Sequence, residues 1–306
     1  MMVGFPIDME KQVILLKRSK MLIAYLKEDM RFSSRRAKKL LKDSAITLNG
    51  KKAYGDSIIK NGDKLVINEA IKTDSILPEN MNLSILYEDA YFIAIDKPPF
   101  ILVYPRGKDE KGTLANGIRH YFDIKGIKEP VRFFNRLDMN TSGIVIIPKD
   151  SQTHSLLDRI SASSMVKGYK AVINGALKSP EGVIGKSISK MANDEGKRYI
   201  DSNGLYAFTE YFLVENYPSA SLIDVRIKTG RTHQIRVHLS SIGHFIIGDK
   251  LYGRASPYIE RQALHANILE FKHPVTNKYI TINSELPDDI ISLLRIIKGE
   301  KNLEDL

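Results

Sequence analysis

The chain has 306 residues, of which 43% are hydrophobic and 27% are charged, with a net charge of +10 and no cysteine. This length and composition predict a globular protein with one large and one small domain. The lack of cysteine excludes disulfides, thiol nucleophiles and zinc sites built on cysteine. The apolar runs are too short for a membrane span and the N-terminus lacks the pattern of a secretory signal, so we expect a cytoplasmic protein without a membrane partner.

The positive charge is concentrated near the N-terminus. Residues 11–70 contain 15 Lys and Arg against six Asp and Glu. A dense cluster of one sign raises the local concentration of a polyanion, and nucleic acid is the commonest such partner. A basic surface kept for solubility is the alternative. The charge alone leaves both interpretations open.

Two helices and a hairpin are predicted in this basic region. Residues 20–26 have a helical pattern, and a second helix is predicted from an N-cap at Ser33-Ser34 to Leu41, with basic side chains along one side. Residues 45–48 and 51–53 flank Asn49-Gly50, which is the pattern of a β-hairpin. Together they predict a small basic α/β domain at 1–73, with a leading strand. It resembles the small RNA-binding domain of a ribosomal small-subunit protein and of tyrosyl-tRNA synthetases, which implies RNA contacts by Arg35, Arg36, Lys38, Lys39, Lys42 and Lys51.

A linker is predicted at 74–82, where the apolar periodicity is lost, and a larger domain at 83–299 precedes a charged tail at 300–306. The predicted strands of the larger domain are 83–87, 91–95, 101–104, 143–147, 169–173, 207–214, 221–227 and 279–282. The predicted helices are 112–120, 151–160 and 232–242. This pattern indicates an α+β domain with a largely antiparallel sheet. No G-x-G-x-x-G or Walker-type loop is present in the sequence, so we expect no nucleotide cofactor.

A compact polar turn lies between two apolar segments at 133–147 and contains Asp138. In one interpretation, this carboxylate accepts hydrogen bonds from the backbone of its own turn, with Thr141 and Ser142 as caps. In the other, a carboxylate on a short loop between strands is held rigidly at a surface cleft, where it acts as nucleophile or base. Residue type and position do not separate the two.

A second polar cluster spans residues 228–239. Gly230 permits a sharp turn from a strand into a helix, so that Arg231, Gln234 and Arg236 lie near a helix N-terminus, which attracts phosphate or carboxylate. His233 and His238 are five residues apart with no acid between them, which is not the i, i+4 spacing of a zinc site. We therefore expect no metal, and we expect the histidines to make structural hydrogen bonds or RNA contacts.

These two segments, with several others in the same order, resemble RluA-type pseudouridine synthases, which modify ribosomal and transfer RNA. The resemblance covers about 83–294 and rests on Arg136-Leu137-Asp138, Thr141-Ser142-Gly143, Lys167-Gly168-Tyr169, residues 230–238, residues 248–253, Leu264-His265-Ala266 and His273-Pro274-Val275-Thr276. It implies a catalytic domain with a bent, mixed, largely antiparallel sheet flanked by helices and loops. It also implies a cofactor-free isomerase that converts uridine to pseudouridine in structured RNA.

The resemblance implies roles for individual residues. Asp138 is the expected catalytic carboxylate, and Arg231 is expected to pair with it. Tyr169 is expected to stack on the flipped base, and Arg136 to fill the gap that the base leaves in the RNA. Further substrate contacts are expected from Asn135, Thr141, His233, Gln234 and Arg236.

Three positions depart from the family pattern. Asn135 and Tyr104 stand where the family commonly has His, and Phe100 stands where it usually has Gly. These changes bear on the shape of the loop near residue 100 and on target choice rather than on the expected chemistry.

Two other functions compete with the isomerase. A glycosidase needs two acids facing one bond, whereas one carboxylate with a dedicated arginine is predicted here. A non-catalytic RNA-binding or ribosome-assembly factor would be expected to have lost Asp138, Tyr169 or Arg231, and all three are present. Large-subunit ribosomal RNA is the favoured substrate and transfer RNA the alternative, as a family tendency. We expect a monomer.

Overall fold

The computed structural model describes residues 12–13, 18–30, 32, 34–68, 75–107, 110–161 and 164–300. The chain divides into two compact units, Met1–Thr73 and Asp74–Leu306. Ser33 of the predicted N-cap, residue 74 of the predicted linker and residues 301–306 of the predicted tail lie outside the described residues.

The described residues of the N-terminal unit form two short helices and two small antiparallel sheets. One sheet has the strand order β1-β6-β3-β4 and the other pairs β2 with β5. The elements are β1 (Gln12–Val13), β2 (Lys20–Met21), α1 (Leu22–Glu28), α2 (Ser34–Lys42), β3 (Ile46–Leu48), β4 (Lys51–Lys52), β5 (Ile58–Ile59) and β6 (Lys64–Ile67). The predicted hairpin is confirmed, because β3 pairs with β4 across the turn at Asn49 and Gly50, which both have positive φ.

Helix α2 separates apolar from basic side chains by its helical spacing. Ala37 and Leu40 are buried in the core of the unit, whereas Lys38, Lys39 and Lys42 are exposed. Residues three and four apart share one face of a helix, so burying the apolar face necessarily turns the lysines to solvent.

The second unit is built around one sheet of nine strands. The strand order is β11-β12-β13-β10-β14-β9-β8-β7, and β15 pairs with β14 beside this path. The strands are β7 (Ser84–Glu88), β8 (Phe92–Lys97), β9 (Ser142–Pro148), β10 (Val166–Asn174), β11 (Glu181–Ile188), β12 (Leu205–Asn216), β13 (Ala220–Ile227), β14 (Leu264–Lys272) and β15 (Tyr279–Asn283). The helices are α3 (Leu114–Ile124), α4 (Ser151–Ser161), α5 (Gln234–Ser241) and α6 (Asp288–Lys298).

The pairing in this sheet is antiparallel except between β9 and β14, which run parallel. The predicted α+β domain with a mixed, largely antiparallel sheet is therefore confirmed. Within the described residues, no helix has the length and apolarity needed to cross a bilayer.

The centre of the sheet is buried on both faces, because alternate residues of a strand point to opposite sides. Ile93 and Ile95 of β8 belong to one core, which α3 and α6 cover, and Phe92 and Ala94 belong to a second core, to which Leu157 of α4 contributes. The unit therefore has three layers, with the sheet between helices.

Most predicted strands and helices of this unit are confirmed within a few residues, but β11, β14 and α6 were not predicted. Glycines at positions 182 and 185 weaken the β pattern of β11. A Cβ on Gly182 would lie 2.3 Å from the hydroxyl oxygen of Tyr211 on β12. Side-chain packing across the sheet therefore requires a residue that has low strand propensity.

The predicted strand at 101–104 is wrong. Its carbonyl groups do not pair with a strand: Leu102 O and Val103 O accept hydrogen bonds from the first turn of α3, and Ile101 O accepts from the ammonium group of Lys97. Phe100, in place of the usual Gly, has a φ of +65°. This loop therefore keeps a backbone shape that glycine favours, although a phenylalanine occupies the position.

The parallel contact between β9 and β14 determines how the polar turn containing Asp138 leaves the sheet. Ser142 and Gly143 lie beside His265 and Ala266, and Gly143 has a φ of +112°. A Cβ at Gly143 would lie 2.2 Å from the carbonyl oxygen of Ala266. The close approach of the two strands therefore depends on glycine at position 143.

We expect Gly143→Ala to lower the free energy of unfolding of the second unit by about 3 kcal/mol or more, because the added methyl group meets a neighbouring backbone. Chemical denaturation measures the change. Gly107→Ala is the control, since a Cβ there meets nothing within 4 Å, and it should change the stability by less than about 0.5 kcal/mol. Equal stability of the two variants would contradict the role given to Gly143.

Candidate active site

Asp138 lies in the turn that leads into β9, and several hydrogen bonds hold the backbone of this turn, including one from Arg261 Nη1 to Asn140 O at 3.1 Å. Thr141 N donates a hydrogen bond to Asp138 O at 3.0 Å, which closes the turn. From the opposite side, Lys97 Nζ donates to Met139 O at 3.0 Å. The Asp138 side chain remains 28% exposed. A partly exposed carboxylate thus sits on a turn that the sheet supports.

The ammonium group of Lys97 is a support that the sequence analysis missed. Lys97 is fully buried, and its Nζ also donates to Pro98 O and Ile101 O. Burial lowers the pKa of Lys97 to about 7, with the Arg261 guanidinium acting in the same direction and Asp138 opposing it. The signal in the sequence was a lysine at the end of an apolar strand, where a buried amine needs hydrogen-bond partners.

Asp138 forms an ion pair with Arg236 on the first turn of α5. Arg236 Nη1 donates to Asp138 Oδ2 at 2.9 Å. The same guanidinium makes a bidentate contact with Asp249, with Nε to Oδ2 at 2.7 Å and Nη2 to Oδ1 at 2.8 Å. Burial opposes the charge of Arg236, but the hydrogen bonds and charge of Asp249, followed by those of Asp138, outweigh it and raise its pKa. Arg236 is therefore a permanent cation, fixed in orientation.

The prediction that Arg231 pairs with Asp138 is wrong. Arg231 is exposed, and its Nε donates to Tyr206 O on β12 at 3.1 Å. The reason is that the helix starts later than predicted: His233 has a left-handed φ of +58°, and α5 begins at Gln234. Arg231 therefore lies before the turn, and Arg236, predicted as a substrate contact, occupies the position beside Asp138.

Asp249 lies in the motif at 248–253, and the sequence analysis assigned no chemical role to it. Its carboxylate is fully buried, and besides binding Arg236 it accepts hydrogen bonds from Leu251 N at 3.0 Å and Tyr252 N at 3.1 Å. A buried carboxylate needs partners on all sides. Here they are the guanidinium and the backbone of its own turn, so Asp249 joins the 249–253 turn to α5.

His233 lies on the other side of Asp138. Its Nε2 is 3.9 Å from Asp138 Oδ1, and its Nδ1 is 2.9 Å from the hydroxyl oxygen of Tyr252. Burial lowers the pKa of His233, and Asp138 opposes this shift. The histidine is therefore kept neutral at neutral pH although a carboxylate is close.

Tyr169 on β10 is almost completely buried beside this carboxylate. Burial raises the pKa of its phenol, and the charge of Asp138 adds to the shift. The phenol therefore stays protonated at neutral pH, so the ring offers an aromatic face and a hydroxyl rather than a phenolate.

Three predicted substrate contacts make hydrogen bonds within the protein. Asn135 Nδ2 donates to Ile144 O, and its Oδ1 accepts from Ile146 N, so its amide extends the pairing of β9. Thr141 and Gln234 are buried: Thr141 Oγ1 accepts from the Gln262 side chain, and Gln234 Oε1 accepts from Arg231 N. These polar groups are used by the protein itself, because buried backbone groups need partners.

Arg136 lies two residues before Asp138, and its side chain is exposed.

The basic residues predicted to contact RNA in the N-terminal unit are largely exposed. Lys38, Lys39, Lys42 and Lys51 are exposed, Arg36 is half-buried over the ring of Phe32, and the side chain of Arg35 lies outside the described residues. Among the residues that the structure describes, no group of three or more His, Asp or Glu side chains is arranged to hold a metal ion.

This arrangement supports chemistry that depends on one oriented carboxylate. The guanidinium of Arg236 pairs with Asp138, a neutral imidazole and a protonated phenol lie beside it, and an exposed arginine lies two residues before it. Such a carboxylate can attack an electrophilic carbon or promote cleavage of a bond to it.

Comparison with known proteins gives consistent matches. A family model described as RNA pseudouridylate synthase matches residues 91–241. A Bacillus subtilis protein named uncharacterized RNA pseudouridine synthase YhcT is 35% identical over 254 residues, which is 82% of this chain and 84% of the relative. A Xylella fastidiosa protein named ribosomal large subunit pseudouridine synthase D is 31% identical over 293 residues, which is 89% of this chain and 87% of the relative.

The fold is also shared with solved structures. The human protein RNA pseudouridylate synthase domain containing 4 superposes with a TM-score of 0.58 at 22% identity, over 70% of this chain and 93% of that one. The resemblance to RluA-type enzymes that the motifs gave is confirmed by these matches. The chain belongs to the RNA pseudouridine synthases, isomerases that act on RNA.

Proposed function

We propose that this protein converts specific uridines of large-subunit ribosomal RNA to pseudouridine, with Asp138 as the catalytic carboxylate. The observation that carries the proposal is the ion pair between Asp138 Oδ2 and Arg236 Nη1 at 2.9 Å, which orients a partly exposed carboxylate. Asp138 promotes cleavage of the bond between C1′ and N1. The uracil turns, C5 bonds to C1′, C5 loses its proton, and N1 gains one.

Access to the base requires that the nucleotide leaves its stack, which costs a few kcal/mol. The exposed Arg136 beside Asp138 supports the proposal that a planar cation fills the gap. We propose that Tyr169 stacks on the flipped base once the nucleotide enters the site, because its ring lies beside Asp138 and its phenol is protonated.

The proposal of ribosomal RNA as the substrate rests on the names of related proteins. Proteins of Xylella fastidiosa and Pseudomonas aeruginosa that are named ribosomal large subunit pseudouridine synthase D are both 31% identical to this chain.

We also propose where and in what form the enzyme acts. In bacteria this RNA is in the cytoplasm, which is where we propose that the enzyme acts. Asp138, Arg236, His233 and Tyr169 all come from one chain, which supports a monomer as the active form.

We further propose that residues 1–73 bind RNA and that residues 83–299 carry the catalytic site. The support for the first part is the separation of charge on α2, where Lys38, Lys39 and Lys42 are exposed on a small unit with its own core. Neutralisation of phosphates by such lysines releases counterions and makes binding dependent on salt.

Asp138→Asn tests the catalytic carboxylate, because the amide keeps the shape and removes the charge. We expect tritium release from RNA labelled at C5 of uridine to fall on the order of 10³-fold or more, with RNA binding retained. Asp158→Asn is the control, since its side chain is exposed on α4, and it should react like the wild type. Binding of RNA by the wild type without tritium release would instead support a non-catalytic RNA-binding protein, and release from transfer RNA alone would exclude the ribosomal substrate.

Arg236→Lys and Arg231→Lys separate the two arginines. A lysine at 236 cannot contact Asp249 in bidentate fashion and still reach Asp138, so kcat should fall by about 10²-fold. At 231 the cation is exposed, and we expect kcat to change by less than about threefold while KM for RNA rises. Steady-state kinetics with purified RNA measures both. A larger loss of kcat at 231 than at 236 would contradict the assignment of the ion pair.

Replacing Lys38, Lys39 and Lys42 by Gln tests the RNA-binding role of α2. We expect weaker RNA binding and a plot of log K against log salt whose slope is smaller by roughly 2. The matched control replaces Lys178, Lys272 and Lys278 of the second unit by Gln, which changes the net charge equally. An identical effect of both triple variants would show that total charge, rather than the N-terminal unit, determines affinity.

A further inference from the structure

The hydroxyl group of Tyr252 lies between the active site and the segment that joins β11 to β12. On one side, Arg198 N donates a hydrogen bond to the Tyr252 hydroxyl oxygen at 2.8 Å. On the other side, this oxygen is 2.9 Å from His233 Nδ1. The imidazole continues the series, because its Nε2 faces Asp138 Oδ1 at 3.9 Å.

The position of one proton follows from this arrangement. A phenol has one proton to donate, and its oxygen here already accepts from the backbone of Arg198. Among the residues that the structure describes, His233 Nδ1 is the acceptor within hydrogen-bonding distance of this hydroxyl group, so we assign the hydroxyl proton to it. In a neutral imidazole only one nitrogen carries hydrogen, so the ring proton must lie on Nε2, the atom that faces Asp138.

The charges around the pair agree with neutral partners. Burial raises the pKa of Tyr252, so its hydroxyl keeps the proton, and burial lowers the pKa of His233. The charged groups that face His233 are Asp138 on the turn before β9, Arg236 on α5, Asp249 on the following turn, and Arg198. The two anions favour the protonated imidazole and the two cations oppose it, and burial, the largest cause, lowers the pKa of His233.

Tyr252 is itself fixed by groups that already hold the active site. Its backbone N donates to Asp249 Oδ1, and its ring lies 4.9 Å from the Arg236 guanidinium carbon. The rings of Tyr252 and His233 meet edge to face, with centroids 5.6 Å apart. The turn at 249–253 thus approaches both oxygens of Asp138, through Arg236 at Oδ2 and through His233 at Oδ1.

We propose that Tyr252 is a positioning residue that fixes His233 as the tautomer with its proton on Nε2, so that Asp138 Oδ1 faces an N–H group rather than a lone pair. The distance of 3.9 Å exceeds a hydrogen bond, and catalytic contacts of this kind tighten when substrate binds. Without the hydroxyl group, Nδ1 loses its donor and the ring can turn its lone pair toward the carboxylate. The inference rests on the proposed role of Asp138.

The tautomer can be read without substrate. In protein with ¹⁵N-labelled histidine, the Nδ1 resonance of His233 should be that of an unprotonated nitrogen and Nε2 that of a protonated one at neutral pH. His233→Gln identifies these resonances by their loss. A proton on Nδ1 in the wild type would overturn the proposal, whatever the activity of the protein.

The effect on catalysis is tested with Tyr252→Phe, which removes one hydroxyl group. We expect mixed tautomers of His233 and a decrease in kcat of about tenfold, which corresponds to the loss of one hydrogen bond, with KM for RNA unchanged. Tyr217→Phe is the matched control, since it removes a hydroxyl group that donates to Glu215, and it should leave the tautomer and kcat unchanged. An unaltered kcat in Tyr252→Phe would overturn the proposal.

A double-mutant cycle excludes a merely structural role. In His233→Gln, the amide nitrogen takes the place of Nε2 as a donor and needs no tyrosine to define its hydrogens. Tyr252→Phe should therefore lower kcat less than about twofold in this background. An equal loss in both backgrounds would show that Tyr252 acts by packing and would overturn the proposal. A wild type that releases no tritium would overturn the proposed function, whereas the tautomer measurement still tests Tyr252.

Discussion

A guanidinium that is almost completely buried is stable only when negative groups lie beside it. The side chains of the candidate active site are arranged to meet this requirement. Arg236 is 7% exposed and contacts the carboxylates of Asp138 and Asp249. Removing one partner of such a group leaves an uncompensated charge, which is far more costly than losing a surface ion pair. The interaction that orients Asp138, the proposed catalytic carboxylate, is therefore also one that stabilises the folded unit.

The turn that carries Asp138 is kept in place by the sheet on which it lies. Gly143 lets β9 approach β14 in a parallel pair, which fixes where the turn ends. Lys97 connects the turn to the end of β8 through its buried ammonium group. A catalytic group must be held within a fraction of an ångström of its productive position, and here backbone contacts from two strands provide that constraint.

Polar residues near Asp138 divide into those that remain exposed and those whose side chains make hydrogen bonds within the protein. Asn135, Thr141 and Gln234 belong to the second kind, because their side chains satisfy backbone or side-chain groups that folding removes from water. Arg136 belongs to the first kind, since it remains exposed beside Asp138. Proximity to a motif therefore does not show that a polar side chain is available to a ligand. Its hydrogen-bond partners within the protein have to be known as well.

The sequence by itself determined the α+β class, the basic face of α2, the Asn-Gly hairpin, the carboxylate at Asp138 and the family, because each of these depends on local patterns or on motifs in a fixed order. It could not determine that Arg236 rather than Arg231 meets Asp138, since one left-handed residue at His233 delays the start of α5 and moves the earlier arginine outward. It also gave no role to Lys97, Asp249 or Tyr252, whose partners lie 42, 13 and 19 residues away in the chain. Charge matching and close packing act between segments that are remote in sequence, so tertiary structure alone decides those contacts.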